Sequence, residues 1–321
     1  MLCLCIMFSS CKTEQQVNDT MYIQLSSFAG KVIDIADDIE YDDSLQLDIP
    51  DGIISYKVQD ACINDSLIFI LDDLKNVISF DAKTGKPLAY INSFGRGHGE
   101  YIEPKAICVS QDFLYVLDCT GMTIVQYNRH LQYVKSIRTN VSAIDFVKVD
   151  DGFLLYNLNP NKQIKQIVWI DEDGKVKNSY LEGERNRKEL ITDKMFVRSD
   201  EKATYIIDPS TNTLYRFSDG DMLPVINITN NESSQSDCNL LRCFLFGDSI
   251  ITLYESKGFI LTSFYDIKTK KTCAGIVNTH IPYPFTPLLR RDNSLYGIYP
   301  ANNGDNKYVL VKHVVRSRTN F

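Results

Sequence analysis

The sequence predicts an all-β fold, a six-bladed β-propeller built from four-stranded antiparallel blades. Three observations carry that reading. One strand pattern recurs six times at blade-length intervals, hairpin signals follow most recurrences, and no window shows the periodicity of an amphipathic helix longer than about ten residues. The recurring unit is a polar or turn-type residue, an alternating apolar and aromatic run, then a stop. The stops fall at Asp72, Asp118, Asn157, Asp208, Tyr254 and Tyr299, in steps of 46, 39, 51, 46 and 45 residues. A period near 45 is that of a four-stranded propeller blade.

The remainder of each unit agrees. After Asp72 come a strand over 76–81, the turn Lys83-Thr84-Gly85-Lys86 and a strand over 87–91. Equivalent pairs are 122–127 with 131–137, 166–170 with 175–181, and 261–267 with 272–277. Turns rich in Asn, Asp and Gly between alternating runs are hairpin signals, because those residues tolerate the backbone angles a tight reversal demands. A strand also precedes each stop. Cys62 lies ten residues before Asp72 and Cys108 ten before Asp118. At the inner strand of a tapering blade, such a cysteine serves as a compact apolar filler. The early segment holds strand-like pieces at 22–25, 31–35 and 45–49, and pairing one of them with the last blade would close the ring and hide two sheet edges.

Composition fits a single folded domain over residues 21–321. The 321 residues are 44% hydrophobic and 23% charged, with 18 Tyr and 16 Phe, which suits pleated surfaces. A net charge of −7 argues against nucleic acid, whose phosphates call for a basic face. The cysteines form no CxxC pair and the four histidines are scattered, so neither a metal nor another cofactor is expected. A monomer is expected.

The first eleven residues are an apolar run, Leu2 to Phe8, then Ser9, Ser10 and Cys11. This resembles the lipobox of bacterial lipoproteins, in which cleavage precedes a cysteine that then receives lipid. The run is too short to span a bilayer, which takes about 20 apolar residues. Residues 1–10 therefore read as a signal peptide, Cys11 as the lipidated residue and 11–20 as a polar tether. The expected location is the bacterial cell envelope, periplasmic or surface-facing, with the membrane reached through the anchor.

A second resemblance lies in Phe94-Gly95-Arg96-Gly97-His98-Gly99-Glu100-Tyr101, between the first two blades. It resembles the inter-blade segment of NHL-type repeats and of the six-bladed, TolB-like propeller lipoproteins of Gram-negative bacteria. The resemblance implies a fold and an export route and no activity. The glycine spacing departs from GxGxxG and a strand follows, so a phosphate loop is not indicated; glycines here let the chain cross between sheets.

If blades meander outward, the linkers between blades and the turns after each stop share one rim. Arg96, His98, Glu100 and Tyr101 would join Asp72, Asp118, Asn157, Asp208, Glu255 and Tyr299 there. Carboxylates, amides and phenols around a funnel could hold a glycan, or the rim could meet an envelope protein. The competing explanation is that these residues cap turns. No G-x-S-x-G elbow is present, and adjacent acid pairs point to opposite faces of a strand. The sequence thus favours a binding or scaffold module. A polysaccharide lyase or hydrolase with His98 and Glu100 as acid and base is the alternative.

Overall fold

A computed structural model describes residues 20–25, 32–34, 39–183, 194–198, 204–208, 211–230, 238–246, 249–256, 258–278, 285–292, 294–301 and 306–315. The expected signal peptide, Cys11 and the tether up to residue 19 lie outside them. Among the described residues every regular element is a strand. The chain opens with Met21–Leu25 (β1), Val32–Asp34 (β2) and Ile39–Asp48 (β3).

Blade 1 follows as Val58–Ile63 (β4), Leu67–Asp72 (β5), Val77–Asp81 (β6) and Pro87–Ile91 (β7), hydrogen-bonded in that order. Blade 2 repeats the meander with Pro104–Val109 (β8), Phe113–Asp118 (β9), Thr123–Asn128 (β10) and Tyr133–Arg138 (β11). Blade 3 has Ala143–Val149 (β12), Gly152–Asn157 (β13), Ile167–Ile170 (β14) and Val176–Tyr180 (β15). Blade 4 has Phe196–Arg198 (β16), Thr204–Asp208 (β17), Thr213–Ser218 (β18) and Asp221–Asn230 (β19). Blade 5 has Cys238–Phe246 (β20), Ser249–Ser256 (β21), Phe259–Asp266 (β22) and Lys271–Asn278 (β23). Blade 6 has Leu289–Arg291 (β24), Ser294–Pro300 (β25) and Lys307–Val315 (β26).

The ring closes as expected. β3 supplies the outermost strand of blade 6, antiparallel to β26 from Ile39↔Val315 to Asp48↔Lys307. The other two early strand-like pieces form strands as well, with pairings that the sequence did not foresee. β1 lies parallel on β19, and β2 parallel on β23, so the meanders of blades 4 and 5 each gain a fifth strand. Their physical role is edge protection. β19 and β23 are long outer strands, and the N-terminal segment hydrogen-bonds edges that would otherwise template unwanted pairing. Ile23 of β1 is fully buried against Ile226 and Ile228.

The alternation of strand residues explains the core. In β5, Phe69 and Leu71 pack toward blade 2 with Tyr101, Val116 and Tyr127. Ile68 and Ile70 point the other way, toward Leu47, Tyr308 and Leu310 of blade 6. Both faces of the strand are buried, so the sequence reads as a near-continuous apolar run. Six such clusters lie between successive blades. The β18–β19 hairpin, which the sequence patterns left unassigned, turns on Asp219 (φ +54°) and Gly220 (φ +85°), the pair of positive angles that a type I′ turn requires. Cys62, Cys108, Cys119 and Cys243 are buried and Cys273 is partly buried, and these five form no disulfide.

Candidate functional site

Blade direction separates the disc into two faces. The turns joining the second and third strands lie beside the linkers joining successive blades. Lys75 Nζ, in the β5–β6 turn, donates to the Ile102 carbonyl at 2.8 Å, and Asn92 Nδ2 donates to Asn76 Oδ1 at 2.9 Å. The Cys119 amide donates to the Glu103 carbonyl at 3.0 Å. Turns joining first to second and third to fourth strands form the opposite face.

The stop residues sit on the linker face, mostly spent on backbone. Asp72 is fully buried and accepts from the Asn76 amide at 2.8 Å and its Nδ2 at 2.7 Å. Asp118 accepts from the Ile102 and Glu103 amides at 2.8 Å each, pinning the linker between blades 1 and 2. Asn157 donates Nδ2 to the Lys165 carbonyl and accepts from the Asn159 amide. Asp208 is buried and accepts from Thr211 Oγ1, while the Tyr299 hydroxyl accepts from the Thr286 amide at 3.4 Å. Glu255 is half-buried near the end of β21. The Asp72, Asp118 and Asn157 side chains thereby satisfy N–H groups of the turns and of a linker.

The glycine-rich loop does not join that set. Its Gly99 carbonyl accepts from the Tyr127 hydroxyl at 2.7 Å, and a Cβ on Gly99 would stand 2.9 Å from Tyr133 Cβ. Tyr127 lies four residues along β10 from Thr123, which pairs with Asp118, or about 13 Å at strand rise. The loop therefore dips along the outer flank of blade 2, and Gly99 takes φ +75° to make the bend. Tyr101 anchors its return: fully buried, it donates its hydroxyl to the Lys75 carbonyl at 2.8 Å, and burial pushes its pKa up. Glu100 Oε2 accepts from the Gly97 amide at 2.6 Å, in space that side chains on Gly95 and Gly97 would occupy. Arg96 and His98 are exposed, with the His98 ring 6.1 Å from that of Tyr133.

What distinguishes the linker face is apolar. Tyr56 (67% exposed), Phe94 (62%), Ile54 (56%), Ile260 (53%), Phe259, Met122, Leu74 and Leu158 all lie on its turns, linkers or adjoining strand ends. The other large exposed apolar residues lie on outer strands, and none occupies a turn of the opposite face among the described residues. Hydrogen bonds tie the arc over blades 1–3 together. Asn76 Nδ2 donates to the Ile54 carbonyl, Thr120 Oγ1 to Glu103 Oε2, and the Leu158 amide to the Ser142 carbonyl. Side-chain patterning could not have revealed this arc, because its members come from separate turns.

A second concentration of polar groups lines the axis. The inner strands β4, β12 and β20 each carry a bulge, after which Asp60, Asp145 and Arg242 occupy one equivalent position. Each staples its blade to the next. Asp60 accepts from the Ile107 amide at 2.7 Å, and Asp145 Oδ2 from the Met195 and Phe196 amides at 2.6 and 3.1 Å. Arg242 Nη1 inverts the polarity by donating to the Pro287 and Leu288 carbonyls, 3.2 Å each. Lys194, at the entry to blade 4, reaches Asp60 of the opposite blade at 2.5 Å. Burial, only partly offset by Lys194, raises Asp145 to about 6. The inner-strand reading anticipated small residues such as Cys62, which does line this cavity, but missed the charges. Their common offset from the stops was the available signal. Among the described residues no three His, Cys, Asp or Glu side chains group as a metal site needs.

Fold and faces together define a six-bladed β-propeller with one apolar face and a charged axis. The chain belongs to the family described as "Domain of unknown function (DUF4934)", whose model matches residues 25–308. Its fold is similar to that of a Bacteroides fragilis protein predicted to be exported, at TM-score 0.74 and 15% identity over 92% of this chain and all of that one. A DUF4221 member from Bacteroides vulgatus is similar at TM-score 0.57 and 10% identity, over 88% and 99% of the two chains. No curated protein matches.

Proposed function

We propose that the chain is a non-catalytic scaffold or binding propeller of the cell envelope that docks a protein through its linker face. The observation that carries this is the segregation of exposed Ile54, Tyr56, Leu74, Phe94, Met122, Leu158, Phe259 and Ile260 onto one side of the disc. Exposed apolar groups gathered on one surface mark interaction sites, and aromatics and Met are enriched at interface cores. Aliphatic Ile, Leu and Met suit a protein better than a sugar. Asp72, Asp118 and Asn157, which could have read glycan hydroxyls, are occupied with backbone groups. The run ending in Ser9-Ser10-Cys11 supports export and lipid anchoring through Cys11, and the fold relative predicted to be exported fits the same compartment.

Site-specific photocrosslinking in the native host tests the docking face. Benzoylphenylalanine at Tyr56, Leu74 and Met122 is expected to give a discrete protein adduct, whereas Leu88 and Tyr90 on the outer edge of blade 1 should give none. Equal crosslinking from both sets would reject a dedicated face. Palmitate labelling abolished by Cys11→Ser tests the anchor separately.

A further inference from the structure

The three N-terminal strands lie on the rim of blades 4, 5 and 6, and they are held very unequally. β3 runs antiparallel to β26 along its whole length, with Ile39 and Leu47 buried. β1 covers only Ile226–Asn230 of β19, and β2 only Ile276–Asn278 of β23. Both pair in parallel, which is slightly weaker per residue. Among the described residues no strand lies on the same side of Asp221–Val225 or of Lys271–Gly275. The contact is also patterned. Ile23 is fully buried with Ile226 and Ile228, Met21 packs beside it, and Tyr22 between them is exposed. β3 closes the ring without help from β1 or β2, so lifting those two opens no blade. Short elements with few buried contacts and no share in the closure belong to the low end of local stability.

We infer that the outer edges of β19 and β23 are a strand-acceptor site, closed in this chain by β1 and β2 as a displaceable strap. Its partner is an extended protein segment with apolar residues at alternate positions. The pairing defines what the site recognises. Edge amides and carbonyls supply main-chain hydrogen bonds that any extended chain can answer, and the seat of Met21 and Ile23 selects apolar side chains two residues apart. Being tethered, the strap competes as an intramolecular ligand, at an effective concentration on the order of millimolar for a short tether. It therefore shields the edges from weak encounters and yields to a segment that binds more tightly. This site lies on the rim of blades 4 and 5 and does not rest on the linker-face docking surface.

The test keeps the full chain and loosens the strap with Ile23→Ser. A fluorescent peptide of residues 20–34 is titrated against both proteins by anisotropy, and the same peptide carrying Ile23→Ser is the control. The loosened chain should bind the parent peptide saturably, roughly tenfold or more tighter than the unmodified chain does, and should not hold the control peptide. Hydrogen exchange gives an independent readout. Ile23→Ser should lose amide protection within Ile226–Asn230, the parent peptide should restore it, and β3 and β26 should not change. Equal affinity of the two proteins, no saturable binding to the loosened chain, or equal binding of both peptides would overturn the inference. Unchanged protection within Ile226–Asn230 would do the same, because the strap would then not be displaceable. Should Ile23→Ser not fold, exchange in the unmodified chain decides: β1 amides must open more readily than those of β3, and equal protection of the two strands overturns the inference.

Discussion

Two buried groups set opposite responses of stability to acid. Asp145 is 4% exposed, and burial lifts it from an ordinary 3.8 to about 6. A carboxyl raised on folding takes up a proton more readily in the native state, so its ionic penalty is full above pH 6 and relieved as pH falls. The whole shift corresponds to about 3 kcal/mol, of which about 1 kcal/mol is recovered between pH 7 and 5. His313 works against it. Its ring is 3% exposed and edge-on to Phe285 at 5.3 Å, and burial lowers it from 6.5 to about 4. The unfolded chain protonates this histidine first, which costs about 2 kcal/mol of stability over the same interval. Glu103, held low by Lys105, and Asp48, held low by Gln46, stay ionised throughout. Native protein should therefore lose about 1 kcal/mol from pH 7 to 5, as measured by urea midpoints. His313→Leu should reverse the slope to a gain of about 1 kcal/mol, and Asp145→Asn should steepen the loss to about 2 kcal/mol. Comparing slopes cancels any constant destabilisation by either substitution. Three parallel curves would refute the assignment of these two groups.

Other perturbations test the fold's joints. Asp118→Ala leaves the Ile102 and Glu103 amides without their acceptor, and should cost about 3 kcal/mol with hydrogen-exchange protection lost at those two residues. Tyr101→Phe should cost only about 1 kcal/mol in urea unfolding, since it removes a hydroxyl bond and keeps the ring. Gly99→Ala meets both a positive φ and Tyr133, and should destabilise by about 2 kcal/mol or more. Gly52→Ala at φ +81° faces open space, so its cost should be near 1 kcal/mol. Deleting residues 1–36 removes β1 and β2 but spares β3. Limited proteolysis should then cut at β19 and β23 while blade 6 stays protected, and uniform resistance would deny the edge-covering role.

The strand repeat was legible because each second strand is buried on both faces, so Leu67–Asp72 and Phe113–Asp118 announce themselves as apolar runs bounded by turn residues. Hairpins carried by Asn, Asp and Gly were legible for the same local reason. Both are properties of contiguous residues and need no knowledge of the rest of the chain. The destination of Met21–Leu25 and Val32–Asp34 was not legible, because a parallel pairing with β19 or β23 joins segments some 200 residues or more apart. Nor was the dip of Gly95–Glu100 along blade 2, which removed Arg96 and His98 from the rim on which spacing had put them. The apolar arc and the axial charges are of that kind too. Each blade contributes one or two members, and only the closing of the ring brings them together. Local chemistry in the sequence decided what each segment becomes. The circular closure decided which side chains share a surface, since that depends on distances between residues that the chain order keeps far apart.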